Sequence, residues 1–151
     1  MKYQLHFTFP TFQTGHDGYT PIQEDYSYWA PLMKHFIEKS DTVEIHCWND
    51  EDDVIKETNA LVIEPPELPK DMQATIFRGQ LTDDISHYLL YNHIAKTENI
   101  KWFSIFLSKG DTTIFHSEHW GTEFFAPNLS EEEIAYITSV MPKDTNFHQY
   151  V

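Results

Sequence analysis

A chain of 151 residues with 24 acidic and 10 basic side chains has a formal net charge of −14 when its histidines are neutral. Phosphate binding relies on lysine and arginine, and the ten here are scattered with no two adjacent, so neither nucleic acid nor an anionic membrane surface is an expected partner. Hydrophobic residues at 40% and aromatic residues at 15% are enough for a packed core in a single domain, 1–151.

Tyr3, Leu5, Phe7 and Phe9 alternate with Gln4, His6 and Thr8, the period-two pattern of a half-buried strand, and Pro10 stops it. Thr11 to Gln23, with Gly15, Gly18 and Pro21 among polar residues, reads as a long loop. Trp29, Leu32, Met33, Phe36 and Ile37 recur at helical spacing, which predicts a helix over Tyr26 to Lys39, capped by Asp25, with Pro31 in its first turn or at its start. Thr42 to Trp48 alternates again. Cys47, the only cysteine, lies on the apolar side with Val43 and Ile45, so a buried, inert thiol is expected and no intramolecular disulfide is possible. The acidic run from Asp50 to Asp53 leads into a short helix around Val54 and Ile55. Ala60 to Ile63 reads as a buried strand, and the proline-rich run from Glu64 to Pro69 as a rigid connection.

Ala74 to Arg78 reads as a further strand closed by Gly79. Thr82 caps a helix that runs to about Thr97, with Ile85, Tyr88, Leu89 and Ile94 on its apolar side. Ile100 to Leu107 and Thr112 to Ser117 are two strands whose spacing predicts an antiparallel hairpin. In the first of them Trp102, Ser104 and Phe106 share one face while Phe103, Ile105 and Leu107 share the other. Both faces are apolar, so this strand is either central and covered twice, or one face is a binding surface. Ser130 and Glu133 form a capping-box pattern ahead of Ile134, Ile137, Val140 and Met141, and Pro142 ends that helix. Hairpin-linked and helix-linked strands are mixed, which implies an α+β fold with a single mixed or mostly antiparallel sheet and about three helices packed mainly on one face.

Five isolated glycines supply neither a P-loop nor a dinucleotide turn, and no serine-hydrolase elbow is present, so no cofactor is expected. Nine histidines raise the possibility of metal binding. The local candidates are His116 and His119, with His16, Asp17 and His6 as further ligands. The spacing of His116 and His119 is not the i, i+4 pair of a zinc-binding helix, and on a strand the two would point to opposite faces unless the chain turns after Ser117. Glu118 and Glu123 flank Trp120 and Gly121, where a turn at a hairpin end would bring both carboxylates near His116, the arrangement an acid–base or metal-dependent enzyme uses.

The acidic clusters suggest a different role. Asp83 with Asp84, and Glu131 to Glu133, sit at helix starts where the macrodipole accounts for them. Asp50, Glu51, Asp52 and Asp53 lack the glycine and the distal glutamate of a calcium loop. Beside Trp48, and with Glu64 and Glu67, they resemble instead an interface in which an aromatic anchor is ringed by acceptors for arginine and lysine. The leading expectation is therefore a non-enzymatic acidic protein that masks a basic protein partner. Small immunity or antitoxin-type inhibitors of bacterial toxin domains are the analogy, one of size and acidity and not of residue pattern. The N-terminus has no continuous apolar run and no stretch reaches the ~20 apolar residues of a membrane span, so a soluble protein of a reducing cytoplasm is expected.

Overall fold

Each alternating segment becomes a strand of one antiparallel sheet, in a computed structural model that describes residues 1–9, 11–13, 19–21 and 26–151. In chain order the elements are β1 (Tyr3–Thr8), β2 (Thr11–Gln13), β3 (Tyr19–Pro21), α1 (Trp29–Ile37), β4 (Thr42–Trp48), α2 (Asp52–Leu61) and β5 (Ala74–Gln80). They continue with α3 (Asp83–Tyr91), β6 (Ser104–Lys109), β7 (Thr112–Glu118), β8 (Glu123–Leu129), α4 (Glu131–Val140) and β9 (Asn146–Tyr150). Seven strands form the main sheet in the order β5-β4-β6-β7-β8-β1-β9, and β2 with β3 makes a separate two-stranded ribbon inside the segment expected to be a loop.

Strand alternation divides the sheet into two unlike faces. Leu5, Phe7, Val43, Ile45, Cys47, Phe77, Ile105, Leu107, Phe115, Phe124 and Ala126 point to one side and are all buried. All four helices contribute to the same core: Trp29, Leu32, Met33 and Phe36 from α1, Val54 from α2, Ile85, Tyr88, Leu89 and Leu90 from α3, and Ile137 from α4. Phe36 stacks on Phe115 at 4.3 Å between ring centres, and the Trp29 indole donates to the Leu89 carbonyl at 2.8 Å, tying α1 to the sheet and to α3. Cys47 is fully buried, and burial pushes its thiol up to about 12. None of the described helices is long and apolar enough to cross a membrane.

The α+β class and the single sheet agree with the sequence reading, with four helices in place of about three. The expected strand at Ala60 to Ile63 is a misreading. Ala60 and Leu61 are the last turn of α2, whose inward stripe Val54, Thr58 and Val62 repeats every four residues, and Ile63 is 91% exposed. An apolar quartet carries no period of its own, and the helical stripe that begins at Val54 absorbs it. Helix α3 is shorter than expected because the chain leaves it at Asn92 and folds back, with Ile94 bridging to Ile100. Asp25, the expected cap of α1, lies outside the described residues, and Tyr28 at that helix start makes no side-chain cap. Strand β6 begins only at Ser104, so Trp102 and Phe103 precede the alternation. The capping box of Ser130 and Glu133 forms as read, each side chain bonded to the other's backbone N–H at 3.2 Å. Strand β9 carries no apolar pattern and had no counterpart among the expected elements.

Candidate functional site: the uncovered sheet face and the β7–β8 tip

Opposed residues of antiparallel strands share a face, so the register fixes what the second face displays. One row crosses all seven strands: Arg78, Glu44, Phe106, His116, Phe125, His6 and His148. The neighbouring row reads Ile76, His46, Ser104, Glu118, Glu123, Thr8 and Asn146. Six interstrand spacings of about 4.8 Å make each row roughly 29 Å long. Among the described residues no helix packs here, although Ile76 and Ser104 are themselves buried. The rings cover one another instead: His46 lies 5.2 Å from Phe106, Phe106 stacks on His116 at 5.3 Å, His116 lies 5.3 Å from Phe125, and His6 stacks on His148 at 5.9 Å. Phe106, His116 and Phe125 are half-buried.

Charges on this face are joined in chains. Glu44 accepts from Arg78 at 2.6 Å and contacts His46 at 2.7 Å, and Arg78 also pairs with Glu67 at 2.5 Å. Burial would raise the Glu44 carboxyl, but His46 and Arg78 outweigh it and hold it below the usual range. His6 Nε2 lies 3.8 Å from Glu123, and His116 Nδ1 lies 3.6 Å from Glu118, beyond hydrogen-bond length. Burial pushes His116 below the ordinary histidine range, Glu118 and Glu123 pull it back only in part, and His6 adds to the depression.

The tip between β7 and β8 holds the sequence candidates together. Glu118 ends β7 and Glu123 opens β8 directly opposite it. Between them His119, Trp120 and Gly121 all take positive φ, 53°, 56° and 73°, a run of left-handed residues that reverses the chain. Gly121 is required there: a Cβ would lie 2.8 Å from Ile100 Cγ1. The turn is fastened by Thr122 Oγ1 donating to the His119 carbonyl at 2.9 Å, Thr122 N–H donating to Glu118 at 3.2 Å, and Tyr28 Oη donating to the Gly121 carbonyl at 3.2 Å. One donor atom each from Glu118, His119 and Glu123 all lie within 4.8 Å of one another. His116 is not a fourth member of that group; its ring packs against Phe106 and Phe125. His16 and Asp17, the other metal candidates, lie outside the described residues.

Tertiary structure also brings the acidic run after β4 to the same end of the sheet. Trp48 is 37% exposed and its ring centre is 5.5 Å from Phe103 and 6.0 Å from Trp120. Glu51, at the start of α2, accepts from the Trp48 amide at 3.1 Å and from the Trp120 indole at 3.4 and 3.3 Å, so it clamps two loops and does not face outward. Burial raises its carboxyl above the usual range. Asp50 is exposed beside Trp48, where Trp48, Asn49, Asp50 and Gln73 line an open depression of about 330 Å³. Asp52 and Asp53 occupy the first turn of α2, and Asp53 pairs with Lys96 at 2.7 Å. Glu64 and Glu67 follow the outer edge of β5. There Glu67 bridges Ile76, and Glu64 packs where a Gly79 side chain would be.

Sequence reading missed Phe103, Phe125, Glu44, His46 and His148 as members of this surface. The pertinent sign was that His6, His46 and His116 each fall on the polar phase of an alternating strand. No protein-family model, no curated protein and no solved structure matches this chain.

Proposed function

We propose that this chain is a binding protein for a basic protein surface, engaged through the uncovered sheet face and the aromatic, acidic end beside it. The observation that carries the reading is the row of Phe106, His116 and Phe125, left without a helix and bordered by Glu118 and Glu123, in a chain of net charge −14. Aromatic anchors supply desolvated contact area, flanking carboxylates accept lysine and arginine, and the net charge raises the association rate. Trp48 and Asp50 extend the surface at the β4 end. Glu51, Asp53 and Glu67 are occupied within the chain and contribute less than their charge suggests. In its specific form the reading is an inhibitor of the immunity or antitoxin kind, occluding the cationic cleft of a toxin domain; size and acidity support that form.

The test is affinity capture from the source cell, followed by kinetics with the purified partner. The expected partner has a net positive surface, and its association rate falls steeply between low and high salt. Phe106→Ser and the pair Glu118→Lys with Glu123→Lys weaken binding at least about tenfold, as expected of central contacts, while Glu132→Lys on the opposite, helical side leaves it unchanged. A partner with an acidic surface, or binding that survives the sheet-face variants, overturns the proposal.

A further inference from the structure

The β7–β8 tip has features that the binding reading does not need. Glu118 and Glu123 face each other in register, and like charges so placed destabilise a sheet unless something cationic lies between them. The ion pairs they make are with histidines, His6 with Glu123 at 3.8 Å and His116 with Glu118 at 3.6 Å. His119 adds an imidazole to the same small volume. Next to this group, though not one of its donors, His116 Nδ1 is shielded from solvent, has no hydrogen bond, and lies 3.6 Å from Glu118 Oε1.

Donor geometry is close to what an ion requires. A tetrahedral ion bound at 2.0–2.2 Å holds its ligand atoms about 3.4 Å apart. The three donors here fall within 4.8 Å of one another, so side-chain rotations of about an ångström per donor would close them on a cation. One imidazole nitrogen with two carboxylate oxygens is a borderline donor set, suited to zinc and its neighbours more than to calcium or magnesium. The backbone under the set is fastened on several sides by Thr122, Tyr28 and the Glu51–Trp120 contact, so little ordering is left for binding to impose.

We infer that Glu118, His119 and Glu123 form a site for one divalent transition-metal ion of the zinc class. This site shares Glu118 and Glu123 with the proposed partner surface, but it is tested on the isolated chain, so either reading can fail without the other.

The experiment uses the untagged full chain, stripped with chelator and titrated calorimetrically with zinc. One ion per chain is expected, with the melting temperature rising by about 5–10 °C at a hundredfold excess over Kd. Glu118→Gln, Glu123→Gln and His119→Asn each weaken binding by about tenfold or more. Asparagine is the apt replacement for His119 because it tolerates a left-handed backbone. His87→Gln and His148→Gln retain full affinity. Should a tip variant melt early, the amide shifts of the wild-type chain on adding zinc take its place, with changes expected across residues 116–123. No stoichiometric binding, undiminished affinity in the three tip variants, equal loss in His87→Gln, or shifts centred elsewhere would each overturn the assignment. Calcium binding indifferent to His119→Asn would also overturn it, by assigning the glutamates alone.

Discussion

Glu133→Gln isolates one electrostatic contribution to stability. Glutamine serves the capping box as well as glutamate does, so the start of α4 is kept and only the charge is removed. In the folded chain burial alone would raise this carboxyl. Lys39, His35 and the Ser130 amide overcome that and hold it down to about 2, against an ordinary 4.5. His35 Nε2 sits 3.1 Å from Glu133 Oε2 and Lys39 binds the same oxygen, so the charge ties α1 to α4. Taken whole, such a depression is worth about 3 kcal/mol. Lys39 is 46% exposed, so solvent screening reduces the expected loss to about 1–2 kcal/mol. Because the folded value is the lower one, the contribution is complete above pH 4.5 and disappears as pH falls toward 2. Urea unfolding followed by tryptophan fluorescence at pH 7, 5, 4 and 3 should therefore show wild type and variant separated at pH 7 and converging in acid. A gap that stays constant with pH, or no gap at pH 7, would refute the reasoning.

Two further outcomes follow from local geometry. Gly121→Ala combines a left-handed backbone with a close approach to Ile100, and should cost about 2–4 kcal/mol in denaturant unfolding. Gly110→Ala has a similar φ of 59° but open space around it, and should cost only about 1 kcal/mol; equal costs would show that the contact with Ile100 is immaterial. Cys47, buried and with its thiol pushed up to about 12, should resist a thiol reagent at pH 8 in the native chain and react stoichiometrically once unfolded, so rapid native labelling would contradict its placement.

Strand phase, the capping box at Ser130 and the inward direction of Cys47 were legible because each depends on neighbours within a few residues along the chain. Apolar side chains at every second position can be buried together only if the backbone is extended, and a serine followed three residues later by glutamate satisfies helix-start N–H groups wherever it occurs. Ala60 to Ile63 failed by the same logic, since four apolar residues fit a helical stripe as well as a strand. A turn bringing Glu118 and Glu123 together was legible at Trp120 and Gly121, but that His119 and not His116 joins them depended on the three left-handed residues of the tip, which a pattern of residue types does not announce.

Local chemistry thus determined which side chains of each strand turn inward and how strongly the whole molecule repels anions. Which outward side chains become neighbours was decided by strand order and register. Those depend on the packing of four helices against a single face, a global competition for buried apolar area. That competition placed Arg78 and His148 at opposite ends of one row, brought Trp48 against Trp120 across 72 residues of chain, and left the face with Phe106, His116 and Phe125 half-buried and, among the described residues, without a helix.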